Sequence, residues 1–205
     1  MTISEPMTLL TDYVLAGVTG WLGFLLFKNR ESQRSRSWWS MAFAALALGA
    51  FLGGTWHGFL QSDLLWKATV LSVGVAIFGM LVGSAYATLD EQFRNFVIAV
   101  AIFKLILYSG WMLYRDDFGY VIIDTGIAFA VVAALHLWRF NGWMLAGVSV
   151  SAAAALVQAS GFALHRHFNH NDLYHVIQIA AMLLLYRGAR RLHDHASAAP
   201  ASRAP

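Results

Sequence analysis

The chain has 205 residues, of which 59% are hydrophobic and 12% charged, and its mean hydropathy is +0.57. A soluble domain carries about twice that share of charge, so too few polar side chains exist to cover a water-soluble globule, and the composition predicts a membrane protein. The net charge of +3 comes mostly from short loops, with no basic helix or basic–aromatic platform, which argues against nucleic acid as a partner. With no cysteine, the chain has no disulfide, thiolate metal site or cysteine nucleophile.

Seven segments reach or approach the roughly 20 residues that a helix needs to cross about 30 Å of hydrocarbon. They are Leu9 to Phe27, Trp38 to Leu60, Leu64 to Leu89, Phe96 to Tyr114, Tyr120 to Leu137, Trp143 to Leu164 and Asp172 to Gly188. The start, MTISEPMTLL, has neither a basic region nor a small-residue cleavage site, so no removable signal peptide is expected. The predicted fold is all-α: a polytopic membrane protein with a seven-transmembrane-helix bundle over residues 1–192 and a disordered cytoplasmic tail over residues 193–205.

Lysine and arginine set the expected orientation. Lys28, Arg30, Arg34 and Arg36 follow the first span, Arg94 the third, Arg139 the fifth, and Arg187, Arg190, Arg191 and Arg203 the seventh. The other side holds Arg115 and Arg166, with Lys67 just inside the third span. The positive-inside rule then places the N-terminus outside and the C-terminus in the cytoplasm. Tryptophans at span ends, such as Trp38, Trp66, Trp111 and Trp143, read as interfacial anchors. Gly49 and Gly53 form a G-x-x-x-G step in the second span, the pattern that lets helix backbones approach closely in lipid.

Ionisable residues inside apolar spans are costly and mark an interior site by default. Asp12, His57, Lys67, Asp124, Asp172 and His175 all fall in the outer half of their spans, and Lys104 alone sits near mid-span. Lys104 and Asp124, on consecutive spans, are placed to neutralise each other. His165 and His167 read as loop residues, and His136, His193 and His195 as interfacial ones. Asn171, Asp172, His175 and Gln178, at i, i+1, i+4 and i+7, form one polar helix stripe. Imidazole with carboxylate suits Zn²⁺ or Fe²⁺, and a catalytic zinc needs three protein ligands and an open position. His57, His170 and His175 would supply the three if the second and seventh spans are neighbours.

With G-G-T-W-H-G-F around His57 and N-D-L-Y-H ending at His175, the pattern resembles the seven-helix membrane hydrolases that include alkaline ceramidases and adiponectin-type receptors. The resemblance implies that His57 and His175 stand where two of that family's zinc histidines stand. Gly53 occupies the position of its serine and Asn171 that of its remaining histidine, while no carboxylate stands near Lys67 where the family has a helix-three aspartate. The expected function is hydrolysis of a lipid-like amide or ester by zinc-bound water, at a site opening to the outer leaflet of a bacterial inner membrane. Asp172 or Asp124 would act as general base, and Lys67 would stabilise the oxyanion. Two alternatives use the same residues: a sensor or transporter with a His/Asp ligand pocket, and a b-type haem protein with His57 and His175 as axial ligands.

Overall fold

Short polar residues cap the start of five of the seven helices. In the computed structural model, which describes residues 3–115 and 117–195, seven helices follow one another. They are α1 (Pro6–Lys28), α2 (Arg34–Gly58), α3 (Asp63–Thr88), α4 (Glu91–Tyr114), α5 (Phe118–Trp138), α6 (Gly142–Ser160) and α7 (His170–Ala189). Proline opens α1, where its missing N–H costs nothing. Ser62, Asp90, Asp117 and Asn141 each accept a hydrogen bond from a first-turn amide of α3, α4, α5 and α6. Gly161, at φ +67°, ends α6 in the left-handed conformation that glycine tolerates. At α7 a reciprocal capping box forms: Asn169 accepts from the Asp172 amide and Asp172 accepts from the Asn169 amide.

Six of these helices, α1 to α6, are long and apolar enough to cross a membrane. The seventh is 20 residues long but carries the polar stripe in its first half, which keeps it out of that set. The outward faces are apolar: on α4, Phe96, Phe103, Ile106 and Trp111 are all at least half exposed.

The packing order is a ring. Helix α1 packs between α2 and α7, α2 against α3, α3 against α5, α5 against α6, and α6 against α7; α4 lies outside, against α3. Helices α2 and α7 touch each other only slightly, because α1 packs against both. The ring is tight on one side. A Cβ on Gly83 would lie 2.9 Å from the Ser35 carbonyl oxygen, so only glycine lets α2 and α3 approach this closely. It is loose between α5 and α6, where glycine and alanine face each other without filling the space.

The chain after α7 is ordered further than expected. Asp194 accepts from the Arg34 and Ser35 amides and so caps α2, Arg36 Nε donates to the Leu192 carbonyl, and the His195 amide donates to Tyr86 O. The predicted tail from residue 193 is thus held through residue 195, and residues 196–205 lie outside the described residues.

Candidate functional site

Helix α1 supplies the centre of the polar site. Thr8, Thr11 and Asp12, at i, i+3 and i+4, share one face and are all buried. That face meets the stripe of α7. Thr8 Oγ1 donates to Asp172 Oδ1 at 2.8 Å, Thr11 Oγ1 lies 3.0 Å from His175 Nδ1, and Asp12 Oδ1 lies 3.1 Å from His175 Nε2. Both nitrogens of His175 thereby face oxygens of α1. Further along the stripe, Gln158 donates to Asn171 and Gln178 donates to Ser151, which ties α7 to α6.

His57 reaches the same chamber from the last turn of α2. Its Nδ1 lies 3.0 Å from Glu5 Oε2, its carbonyl accepts from the Ser4 hydroxyl, and Nε2 has no hydrogen-bond partner among the described residues. The chamber encloses about 140 Å³ and is lined by Asp12, His57, His175, Gln158, Asn171 and Trp66, among others. Gly53 lines it too: a Cβ there would stand 3.7 Å from Asp12 Oδ2, so the position where the resembled family has serine does face the site.

A second cavity adjoins it. About 480 Å³ in volume, it lies between α3, α5 and α6 and shares Leu46, Val73, Phe118 and Tyr174 with the chamber wall. Its lining is almost wholly apolar. Gly126 and Ala130 of α5 and Ala152 and Leu156 of α6 line it while also being exposed on the outside of the bundle, so it opens laterally between these helices.

The other expected site residues stand elsewhere. His170 begins α7 but does not line the chamber; five residues separate it from His175, about 140° around a helix. His57, His170 and His175 therefore do not converge, and no group of three metal-ligating side chains able to hold an ion exists among the described residues. Asp172 is buried, with one oxygen accepting from Thr8 and the other from the Asn169 amide, so both are engaged in holding α7 to α1 and in its own cap. Asp124 lies outside the chamber, on α5, and is paired with Lys104 at 2.6 Å, the partner that the sequence offered for it. Lys67 is half-buried in α3 but off the chamber, which Trp66, Thr69 and Val73 of the same helix line instead.

Sequence reasoning missed four contributors: Glu5, Thr8, Thr11 and Gln158. The T-x-x-T-D spacing of Thr8, Thr11 and Asp12 was the available signal, since it puts three polar groups on one face of an otherwise apolar helix. His136 was also misplaced. It is fully buried, with Nε2 3.1 Å from Ser84 Oγ of α3, the helix against which its own α5 packs.

The fold and site together define an all-helical bundle with a buried His/Asp chamber beside an apolar cavity. The chain belongs to a protein family of unknown function, DUF6962, whose match spans residues 7–194 and so takes in all seven helices apart from the first residue of α1. No curated protein and no solved structure matches it.

Proposed function

We propose that this is a multi-pass membrane protein of seven crossing helices, N-terminus outside, that binds a lipid-like amphiphile. The polar head would sit in the chamber among Asp12, His57 and His175, in the outer half of the bilayer, and the chain in the apolar cavity. The observation that carries this reading is the shared wall: a small chamber bearing the polar groups adjoins a lateral apolar cavity whose volume lies within the roughly 300–1,000 Å³ usual for small-molecule sites. A head group lined by carboxylate, imidazole and amide groups can exchange several hydrogen bonds, while the apolar lining rewards burial of a chain.

The test is extraction of lipids from detergent-purified protein, followed by mass spectrometry. Gly126 lines the lateral opening, and a Cβ there meets no atom within 4 Å, so Gly126→Leu is accommodated while narrowing the entrance. Wild type should carry one amphiphile class enriched over the bulk lipid, and Gly126→Leu and His57→Ala should each lose it. A lipid profile identical to that of the surrounding membrane in all three proteins would sink the proposal.

A second reading, hydrolysis of an amide or ester bond in that amphiphile, rests on the Glu5–His57 pair. A carboxylate on Nδ1 orients the ring so that Nε2 faces the chamber as the proton acceptor. Water would give its proton to Nε2 as its oxygen adds to the carbonyl carbon; that proton would then pass to the leaving nitrogen or oxygen as the bond to it breaks. The zinc that the resemblance implied finds no third ligand among the described residues, so no step is routed through a metal. A haem with His57 and His175 as axial ligands fits poorly as well, since both nitrogens of His175 already face protein oxygens. Turnover of a long-chain amide or ester by wild type, lost in His57→Asn, supports hydrolysis. Binding without turnover leaves the pocket as a sensor or carrier site.

A further inference from the structure

A second polar cavity lies at the opposite end of the bundle. From Thr69 at the chamber to Thr88 at this cavity, α3 runs about 28 Å at 1.5 Å per residue. The cavity encloses about 250 Å³, and its ionisable lining is Arg139, Arg191, His136, His193, His195 and Asp194. The chain after α7 forms one wall, fastened by the bond from the His195 amide to Tyr86 O.

Among the described residues Asp194 is the one carboxylate in that lining, and it caps α2. Both oxygens accept backbone amides of the first turn of α2, from Arg34 and Ser35, each at 2.8 Å. Among the described residues the two guanidinium groups have no carboxylate partner. Arg139 uses Nε and Nη2 on the Thr88 carbonyl, and Nη2 also on His195, which holds the group in place. Its Nη1 has no hydrogen-bond partner among the described residues. Arg191 lies 5.6 Å over the Trp143 ring and makes no side-chain hydrogen bond within the described residues.

His136 adds a buried, unmet donor at the cavity wall. It is fully buried and lines the cavity; Nε2 is taken by Ser84, and Nδ1 is a buried polar atom with no partner in the described residues. When the Ser84 hydroxyl donates to Nε2, Nδ1 carries the ring proton and is a donor in need of an acceptor. Buried donors of this kind are rarely left unmet in folded proteins. Three donors, His136 Nδ1 on α5, Arg139 Nη1 just after α5 and Arg191 just after α7, suit a tetrahedral anion with several acceptor oxygens better than a planar carboxylate. We propose that this cavity binds a phosphoryl group, either free phosphate or the head of an anionic lipid. This site stands apart from the amphiphile chamber and does not depend on it.

The test uses the full-length protein in a neutral detergent. Inorganic phosphate is titrated by calorimetry at low ionic strength, with chloride matched in the blank. In parallel, native mass spectrometry follows the protein from nanodiscs of phosphatidylcholine with or without phosphatidic acid. Arg191→Gln removes an exposed guanidinium and leaves the fold intact, whereas Arg139→Gln keeps an amide donor for Thr88. Arg190→Gln, whose side chain stacks on Tyr186 and does not line the cavity, is the control. Saturable binding in wild type and Arg190→Gln, weakened about tenfold or more in Arg191→Gln and Arg139→Gln, is the expected result. Binding of inorganic phosphate identifies a free anion as sufficient; retention of phosphatidic acid alone identifies the lipid head. No saturable binding in either arm, or equal binding by Arg191→Gln and Arg190→Gln, overturns the proposal.

Discussion

His175 and Asp12 meet at 3.1 Å through Nε2 and Oδ1, while the other ring nitrogen of His175 lies 3.0 Å from Thr11 Oγ1. Two successive residues of α1 therefore grip one imidazole of α7 from both edges. The Thr11 hydroxyl has a single proton and two acceptors in reach, the Thr8 carbonyl at 3.1 Å and His175 Nδ1. If it serves the ring, His175 is neutral with its proton on Nε2, facing Asp12. If it serves Thr8, the ring can donate from both nitrogens. Proton position on His175 is thus tied to the orientation of one hydroxyl.

Asp12→Ala should cost about 1–3 kcal/mol, because it leaves Nε2 of His175 unpaired in a buried setting. Asp12→Asn keeps an acceptor oxygen and should lose clearly less. Combining Asp12→Ala with Thr11→Val should depart from additivity by about 0.5 kcal/mol or more, since both act on one ring. Thermal unfolding in detergent reads all of these, and an Asp12→Ala protein with unchanged Tm would refute the argument.

The Lys104–Asp124 pair gives the contrasting case. It is more than three-quarters buried between α3, α4 and α5, away from the chamber. Removing one partner strands the other charge, so Lys104→Met should destabilise by about 3–5 kcal/mol. The double variant Lys104→Met/Asp124→Leu should recover most of that loss and should retain the bound amphiphile as wild type does. Loss of the amphiphile in a stable double variant would show that Asp124 serves the site after all.

How much of this was legible in the sequence differs between levels. Seven helices were legible as runs of 17 to 26 mostly apolar residues, too long and too poor in charge to be loops, although the seventh run begins with a polar stripe. The inward stripe Asp172, His175 and Gln178 followed from helical spacing, and the structure buries all three. What spacing within one helix cannot give is which helices are neighbours. The expected histidine triad assumed that α2 meets α7; α1 fills that place and substitutes its own Thr8, Thr11 and Asp12 for a metal as the partner of His175 and Asp172. The same ignorance of neighbours made His136 look interfacial, when α3 presents Ser84 to it.

A metal should not be needed for stability. With His175 gripped from both edges and His170 outside the chamber, stripping divalent ions with EDTA should leave Tm unchanged, and elemental analysis should find zinc well below one ion per chain. Zinc near one per chain, lost together from His57→Ala and His175→Ala, would instead restore the metal-dependent reading and require His170 or Glu5 to move.

The absence of cysteine makes orientation directly measurable. Gln61, before α3, and Gln92, in the first turn of α4, are both exposed and make no side-chain hydrogen bond among the described residues, so single cysteines there should be tolerated. They flank α3, one of the helices long and apolar enough to cross a membrane. Arginine and lysine gather at the Gln92 end, at Arg34, Arg94, Arg139 and Arg191, which the positive-inside rule assigns to the cytoplasm. A membrane-impermeant maleimide should then label Gln61→Cys in intact cells and Gln92→Cys only after permeabilisation. The reverse pattern would turn the amphiphile chamber toward the cytoplasm and the phosphoryl cavity outward. Labelling of both in intact cells would mean that α3 does not cross the membrane, and the proposed route for a lipid through the gap between α5 and α6 would fall with it.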